Sequence, residues 1–212
     1  MGLKTDQFIY FLKYLLDNPF VEIILGSSSP RRGEILNFFK IPFKQISSNF
    51  DEECVPFNGQ PASFVEFLAQ AKAEALVPFF PDQMILTADT IVFRDNKIFG
   101  KPKNREEAMQ NLMELSGKSH SVFTGLAIYA HKKIFLTNEE TKVYFNSLTK
   151  DQMHAYLDKI PVYDKAAGYM IQASGSLIVK RIEGCYYNVM GLPINGLCKI
   201  LKDAGINLWD YI

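Results

Sequence analysis

The residues best suited to bind an anion lie in one short segment near the start of the chain. The segment reads Gly26-Ser27-Ser28-Ser29-Pro30-Arg31-Arg32-Gly33-Glu34. Ser29 is a good N-cap and Pro30 suits the first helical turn, so a helix beginning here presents free backbone N–H groups to an anion. The guanidinium groups of Arg31 and Arg32 add paired donors for phosphate oxygens. The alternative is an ordinary capped helix with solvated arginines.

An acidic residue interrupts an otherwise apolar stretch. Asp89 follows the mainly apolar residues 84–88 and precedes Ile91, Val92 and Phe93, although Asp is depleted in strands. In open α/β sheets, ligands bind at the carboxyl ends of strands. A carboxylate placed there can hold a metal ion or accept a proton from an attacking water. The alternative is a turn-forming Asp between two separate strands.

Three further charged residues are candidates for the same site. Lys72 lies within an apolar helical stripe, where a charge is costly unless it is paired or reaches water. Either it extends to solvent, or a phosphate or the Glu52 carboxylate pairs with it. Glu52 belongs to the acidic triplet 51–53, which offers oxygen ligands for Mg²⁺ but is equally typical of solvated surface. Lys101 lies in a rigid Gly-Lys-Pro turn suited to phosphate.

Alternating strands and helices must position these residues. Periodicity and breakers predict strands at residues 21–25, 43–46, 84–88, 91–93, 97–99, 121–130 and 133–145, with a Gly-rich strand region at 168–184. They predict helices at residues 30–40, 61–79, 104–115, 150–159 and 193–204. We therefore expect a mixed α/β fold with one antiparallel hairpin. The polar stretch 47–60 is a candidate site loop.

Composition limits the class of protein. The 212 residues are 48% hydrophobic and 22% charged, which is typical of a globular protein. Basic and acidic residues both number 23, so no long-range field favours nucleic acid or membrane as a partner. Three scattered cysteines favour a reducing, cytoplasmic location. Residues 1–20 match neither a signal peptide nor a membrane span, and we expect a helical extension before a single domain at residues 21–212.

Several common motifs fail on inspection. The stretch Gly117-Lys118-Ser119 resembles the end of a P-loop, but the required earlier glycine is Leu112. The chain has no GxGxxG after a strand and no GxSxG, which argues against a dinucleotide enzyme and an α/β-hydrolase. The three histidines, His120, His131 and His154, show no ligand spacing, and we assign them to structure.

Ordered blocks between about Ile23 and Gly205 make the chain resemble the Maf-like nucleoside triphosphate pyrophosphatases. The blocks are Leu25 to Arg32 with Glu34, Asp51-Glu52, Ala69 to Ala73, Ala88 to Val92, Gly100-Lys101-Pro102, Ser116 to His120, Thr124-Gly125, Asp164-Lys165-Ala166, Ile171-Gln172 and Asn188 to Pro193. The last two are similar to the branch that acts on dTTP and UTP. The resemblance implies an elongated mixed sheet with flanking helices, two lobes around a central cleft and often a homodimer, as in Maf and ITPase-like folds.

The resemblance also implies a role for individual residues. Asp89 would be the catalytic proton acceptor. Four residues would hold phosphates: Ser27, Arg31, Lys72 and Lys101. Three residues would set the base preference: Arg32, Thr90 and Gln172. Two carboxylates would hold a divalent cation, Mg²⁺ or Mn²⁺: Glu52 and Asp89.

The activity implied is that of a hydrolase in nucleotide metabolism, which converts a dTTP- or UTP-like nucleotide to its monophosphate and pyrophosphate. The alternatives are the same chemistry on another or modified nucleotide, and a nucleotide-binding regulator of cell division with little turnover. One departure concerns the stretch Ile160-Pro161-Val162-Tyr163, where the family usually has Glu-Pro. A carboxylate is lost there, which puts substrate choice or a metal contact in question.

Overall fold

The computed structural model describes residues 22–212, which form one mixed sheet flanked by helices. The strands are β1 (Ile23–Gly26), β2 (Phe43–Ile46), β3 (Met84–Arg94), β4 (Lys97–Phe99), β5 (Ser119–Ala130), β6 (Lys133–Phe145) and β7 (Val179–Glu183). The helices are α1 (Pro30–Leu36), α2 (Pro61–Leu76), α3 (Arg105–Leu115), α4 (Lys150–Lys159), α5 (Tyr186–Met190) and α6 (Ile194–Asp203). The strand order is β2-β1-β3-β5-β6-β7, with β4 paired to β3. The predicted mixed α/β fold is confirmed.

One edge of β3 is open at its middle. Strand β1 pairs in parallel with β3 as far as Thr87, and β4 pairs with it in the antiparallel sense from Val92 onward. Among the described strands, only β5 pairs with residues 88–91, and it does so along the opposite edge. Asp89 and Thr90 therefore lie beside a gap in the sheet, just past the carboxyl end of β1.

A glycine on β5 allows α2 to approach the sheet closely. Gly125 pairs with Asp89 across the strands. A Cβ atom at Gly125 would lie 2.3 Å from the carbonyl carbon and oxygen of Val65 and 2.6 Å from the backbone nitrogen of Glu66. No side chain fits at such distances, so glycine sets how closely α2 packs on β5 next to Asp89.

Four hydrophobic clusters stabilise the described part of the fold, and the two largest are the cores that pack helices other than α2 on the sheet. The first packs helices α1 and α6 on the parallel part of the sheet, with fully buried residues that include Ile23, Leu25, Leu36 and Leu197. The second packs α3 and α4 on the far ends of β5 and β6, with Leu112, Leu115, Val122 and Val143. Both cores contribute residues to the cavity described below. Within residues 22–212, no helix combines the length and apolar character that a membrane crossing requires.

The structure corrects several predicted boundaries. The strand predicted to break at Asp89 and Thr90 is continuous as β3, because both residues pair with β5. Helices α1 and α2 end at Leu36 and Leu76, short of the predicted ends at residues 40 and 79. The extension predicted for residues 1–20 lies outside the described residues.

The region predicted as a Gly-rich strand is mostly turns. Only Val179–Glu183 is a strand, and short 3₁₀ segments occupy Ala166–Gly168 and Ala173–Leu177. Ala167 and Ala173 have φ values of 57° and 47°, in the left-handed region, which a strand cannot accommodate. The helix α5 was not predicted, because its five residues are too few to show a period.

Candidate active site

A cavity of about 810 Å³ lies against the open edge of β3 and is lined there by residues 89–92. All nine residues proposed from the sequence line this cavity: Ser27, Arg31, Arg32, Glu52, Lys72, Asp89, Thr90, Lys101 and Gln172. They come from six different parts of the chain, so the fold brings together residues that the sequence keeps far apart. Their chemical roles remain predictions.

The loop between β1 and α1 is held in place by hydrogen bonds to its own backbone. Ser29 is the N-cap of α1, but its side chain makes no capping bond. Its N–H instead donates to Ser27 Oγ at 3.1 Å. From the neighbouring strand β2, Gln45 Nε2 donates to the carbonyl oxygens of Ser27 and Ser29 at 2.8 and 2.9 Å. The first turn of α1 is thus fixed against the cavity without a side-chain cap.

Arg32 is a buried cation that joins three parts of the site. Its Nε donates to the Gly191 carbonyl at 2.8 Å, its Nη1 to Ser27 Oγ at 3.1 Å and its Nη2 to Thr90 Oγ1 at 3.0 Å. Burial lowers the pKa of the Arg32 guanidinium, and the nearby carboxylates act in the opposite direction. Three bonds to fixed partners orient the guanidinium plane toward the cavity that it lines.

A compact charged cluster lies on the side of β3 that α2 covers. Lys72 Nζ lies 2.5 Å from Asp89 Oδ1 and 3.1 Å from Glu52 Oε1. Lys72 and Asp89 are buried, with 6% and 3% of their surface exposed. Lys101 Nζ is more distant, at 3.8 Å from Glu52 Oε1. Lys72 therefore pairs with two carboxylates and does not extend to solvent, which decides between the explanations that the sequence left open.

The two carboxyl groups of this cluster differ in acidity. Burial raises the pKa of Asp89, and the Glu52 charge adds to that effect while Lys72 opposes it. Burial also acts to raise the pKa of Glu52, but Lys72, a hydrogen bond with Asp89 and the charge of Lys101 outweigh it and lower the value to about 2. Glu52 therefore stays ionised, whereas Asp89 has a higher affinity for a proton than an exposed carboxylate.

Two residues that were not proposed as site residues also line the cavity, although both belong to a block of the Maf resemblance. Asp164 Oδ2 accepts from Arg31 Nη1 at 2.9 Å, and Asp164 Oδ1 accepts from Lys165 Nζ at 2.5 Å. Lys165 is only 7% exposed and donates also to the Pro161 carbonyl at 2.7 Å. A buried lysine facing a cavity is a further candidate for phosphate binding. The sequence signal that could have pointed to both residues is the Asp164-Lys165 pair within that block.

Gln172 lies at the start of a 3₁₀ segment on the cavity wall. It is half-buried, and its backbone carbonyl accepts from the Gly175 N–H at 2.9 Å. Its side-chain amide has no hydrogen-bond partner among residues 22–212, so both its donor and acceptor ends are available to a ligand.

The carboxylates of the cluster fit a divalent cation that binds together with phosphate. Mg²⁺ is commonly held by one or two carboxylates plus substrate phosphates. Glu52 and Asp89 both reach the same Lys72 ammonium within 3.1 Å, so their oxygens converge on one cationic position. Within the described part of the chain, no group of three or more His, Cys, Asp and Glu residues is arranged to hold a metal without other ligands. The donor set thus matches a cation shared with a polyphosphate.

The fold and the cavity define a mixed α/β protein with a cleft at an open strand edge, where several cations surround a buried carboxyl group. Such a cleft is suited to a polyphosphate ligand. The chain belongs to the family of Maf-like proteins, whose match covers residues 22–204. The resemblance read from the sequence blocks is confirmed.

Similar proteins in other organisms cover nearly the same length. A dTTP/UTP pyrophosphatase of Chlamydia caviae is 46% identical over 90% of this chain and 98% of its own. A nucleoside triphosphate pyrophosphatase of Chlamydia muridarum is 40% identical over the same shares. A dTTP/UTP pyrophosphatase of Aquifex aeolicus is 41% identical over 88% of this chain and 97% of its own. Among solved structures, the Staphylococcus aureus Ham1 protein aligns with a TM-score of 0.48 and 13% identity, covering 86% of this chain and 98% of that one.

Proposed function

We propose that this protein is a nucleoside triphosphate pyrophosphatase that hydrolyses the α–β phosphoanhydride of dTTP- or UTP-like nucleotides. The proposal rests mainly on one observation, the cluster of Lys72, Asp89 and Glu52 inside a cavity lined by further cations. The names of the relatives that match about nine-tenths of the chain support the same activity. The protein is thus a hydrolase that acts on acid anhydrides.

Asp89 is the proposed general base. Its carboxylate accepts a proton from a water molecule, and the water oxygen forms a bond to the α phosphorus. The bond between the α phosphorus and the bridging oxygen breaks, so pyrophosphate leaves and the nucleoside monophosphate remains. Burial raises the pKa of Asp89, which strengthens it as a base compared with an exposed carboxylate.

The cations of the cavity neutralise the triphosphate in this proposal. Arg31, Lys72 and Lys101 bind its phosphate oxygens, with Ser27 as a hydroxyl donor at the head of the loop. Lys72 bonds Asp89 at 2.5 Å, so phosphate oxygens compete with Asp89 for the same ammonium. Binding of the substrate therefore draws Lys72 away from the base and leaves Asp89 free to accept a proton. Catalysis of this kind is chiefly positioning and electrostatic stabilisation.

Glu52 and Asp89 are the residues that would hold Mg²⁺ or Mn²⁺. A bound divalent cation would neutralise phosphate charge and orient the triphosphate for attack. Glu52 suits this role because its pKa of about 2 keeps it ionised at any physiological pH.

Arg32, Thr90 and Gln172 are the proposed contacts to the base. Gln172 can donate and accept through one amide, which suits the mixed edge of a pyrimidine. The proposal includes a cytoplasmic location, where the nucleotide pool is found, and a homodimer, which light scattering of the purified protein tests.

A panel of nucleoside triphosphates tests the proposed function. Purified protein is incubated with Mg²⁺ or Mn²⁺ and each of the common and modified triphosphates, and pyrophosphate is measured in a coupled assay. We expect pyrophosphate from dTTP and UTP at rates at least about tenfold above those from purine nucleotides, because a pocket built to hydrogen-bond one base edge rejects others. Faster release from a modified nucleotide would favour the same chemistry on another substrate. Tight binding without hydrolysis would favour a nucleotide-binding regulator.

A further inference from the structure

A buried threonine behind the cavity wall contacts one of the proposed base contacts. Thr124 on β5 pairs with Thr90 on β3, and their hydroxyl oxygens lie 2.9 Å apart. Thr90 is half-buried and lines the cavity. Thr124 is 0% exposed, and the cavity wall formed by residues 22–212 does not include it. Thr124 therefore touches no ligand in the cavity, and its hydroxyl reaches the cavity wall most directly through Thr90.

A series of hydrogen bonds runs from Arg32 through Thr90 and Thr124 to the Asn188 carbonyl. The groups at its two ends determine which atom donates in each bond. The Asn188 carbonyl can only accept, so Thr124 spends its single hydroxyl hydrogen on that bond, at 3.1 Å. Thr124 must then accept from Thr90, whose own hydrogen is used in turn. At the other end, the guanidinium of Arg32 can only donate, and it donates to Thr90 Oγ1. Thr90 has one lone pair left and no hydrogen to offer a ligand.

Further hydrogen bonds hold the Asn188 end of this series in place. Asn188 is 0% exposed, and its Nδ2 donates to the Val122 carbonyl at 3.0 Å and to Thr141 Oγ1 at 2.9 Å. The Asn188 carbonyl also accepts from the Gly191 N–H at 2.9 Å, so reversing the hydrogen bonds would leave it with one donor instead of two. The direction in which Thr124 donates to Asn188 is favoured because it keeps one more hydrogen bond than the reverse.

The cavity consequently presents an acceptor and donors side by side. Thr90 offers a lone pair, and Arg32 keeps two N–H groups beyond the three that have partners among the described residues. Uracil and thymine carry an imide edge, an N–H next to a carbonyl oxygen, which matches this pair. Cytosine carries a ring nitrogen lone pair next to an amino group, so when it is placed as the imide edge is, with the ring nitrogen at Thr90 and the exocyclic group at Arg32, it is opposed at both points.

We propose that Thr124 is a positioning residue for base selection, which holds Thr90 as a pure acceptor so that the site takes an imide edge and rejects cytosine. This inference rests on the proposed function in one respect, the placement of the base against Arg32 and Thr90. It adds a residue that touches neither base nor phosphate.

Binding of inert analogues tests the proposal without requiring turnover. Dissociation constants for α,β-methylene-UTP and α,β-methylene-CTP are measured by calorimetry for the wild type, Thr124→Val and Thr124→Ser. We expect the CTP-to-UTP ratio of dissociation constants to fall about tenfold in Thr124→Val, because the freed Thr90 hydroxyl can then donate to cytosine. Thr124→Ser keeps the hydroxyl and should keep the ratio. Because the ratio compares two ligands on one preparation, the folded fraction cancels.

Thr87→Val is the matched control. Thr87 is a buried threonine on β3 whose hydroxyl donates to the Ala69 carbonyl at 2.6 Å, away from Thr90. The CTP-to-UTP ratio of dissociation constants for Thr87→Val should equal that of the wild type. The proposal would be overturned if the ratio is unchanged in Thr124→Val, or if it falls equally in Thr87→Val. A wild type that prefers the uridine analogue but releases no pyrophosphate from UTP would refute the proposed function and leave this inference standing.

A second measurement covers the case in which Thr124→Val does not fold. The wild type is titrated with the α,β-methylene forms of N3-methyl-UTP, which lacks the imide N–H, and of N1-methylpseudo-UTP, which carries a methyl group elsewhere and keeps the imide. We expect N3-methyl-UTP to bind at least about tenfold more weakly than N1-methylpseudo-UTP. Equal binding of the two would contradict a site that requires the imide donor.

Discussion

At the scale of single residues, the site separates two carboxyl groups that share one lysine. Asp89 is almost completely buried, whereas 39% of the Glu52 side chain is exposed. The loss of hydration therefore acts more strongly on Asp89, and the two pKa values move apart. Pairs of acids whose pKa values are pushed apart in this way often divide the roles of base and charge stabiliser. This contrast supports Asp89 as the base and Glu52 as a permanent anion.

Asp89→Asn should remove most of the activity while leaving substrate affinity nearly intact. The amide has the same shape but cannot accept the proton, so we expect kcat to fall by about 10²- to 10⁴-fold with little change in KM. Pyrophosphate release from UTP measures both constants. Asp95→Asn, in the exposed turn that follows the same strand, should behave as the wild type. A variant Asp89→Asn with normal turnover would refute the assignment.

Lys72→Gln should shift the pH dependence as well as the rate. The Lys72 charge lowers the pKa of Asp89, so its removal raises that pKa further. Because the base acts only when deprotonated, the acidic limb of the kcat/KM profile should move to higher pH. Rates between pH 5 and 9 check this shift, with Lys97→Gln, an exposed lysine paired to Glu114, as the control. A limb that stays in place or moves to lower pH would contradict the coupling of Lys72 to Asp89.

At the scale of elements, the site exists because β3 runs on past the end of β1. The sequence predicted the order of strands and helices, the hairpin of β5 and β6, and the strand-loop-helix that carries the arginines. It did not predict that β3 stays continuous through Asp89 and Thr90, because both residue types break an apolar pattern. Their pairing with Gly125 and Thr124 on β5 holds them in the strand, and such a pairing is invisible in the local sequence.

Some contacts of the site could not be read from the sequence at all. The Arg31–Asp164 pair joins residues 133 positions apart, so no local pattern shows it. The turns around Ala167 and Ala173 place alanine in the left-handed region, where glycine or asparagine is the usual signal. The family blocks, by contrast, contain all nine proposed site residues, because those blocks were recognised together and in order, but they do not contain the cavity-lining residues Val55, Phe57 and Phe64.

Gly125→Ala tests the close approach of α2 to β5. A methyl group there would lie 2.3 Å from the Val65 backbone, so α2 must move away from the sheet and carry Lys72 with it. We expect a loss of about 1–3 kcal/mol in the free energy of unfolding together with a fall in kcat. Urea unfolding and pyrophosphate release measure the two effects. Gly196→Ala, on α6, meets its nearest atoms at an ordinary 3.5 Å and should not destabilise the protein; a similar loss there would argue against this explanation.

At the scale of the whole molecule, a chain of zero formal charge holds a strongly charged cavity. The cations that line it are balanced by carboxylates inside the same cavity, as the Arg31–Asp164 and Lys72–Asp89 pairs show. Attraction to a polyphosphate is therefore local, and salt should weaken it less than it would weaken a surface patch. Stability comes largely from the hydrophobic clusters, and the one beneath α3 and α4 packs around a titratable group with no direct place in the proposed chemistry.

That group, His120, should make the protein less stable in mild acid. His120 is buried and bonds Tyr169 through Nε2 at 2.7 Å, and burial lowers its pKa to about 3. The contribution of neutral His120 to the free energy of unfolding is fully present above its ordinary pKa near 6.5. It is lost as the pH falls from there toward 3, because His120 then binds a proton in the unfolded protein but not in the folded one.

Urea unfolding at pH 7 and pH 5 measures this effect. We expect the free energy of unfolding to drop by about 2 kcal/mol from this group between the two pH values. His120→Gln removes the titration, so its drop should be smaller than that of the wild type by about that amount. An equal drop in both proteins would show that His120 is not responsible.

The most direct test of the central claim is to follow the oxygen of the attacking water. UTP is hydrolysed in water enriched in oxygen-18, and the products are examined by mass spectrometry. The proposed mechanism predicts UMP and pyrophosphate as products, with the heavy oxygen on the phosphate of UMP and none in pyrophosphate. Heavy oxygen in pyrophosphate, or UDP and orthophosphate as products, would contradict attack at the α phosphorus.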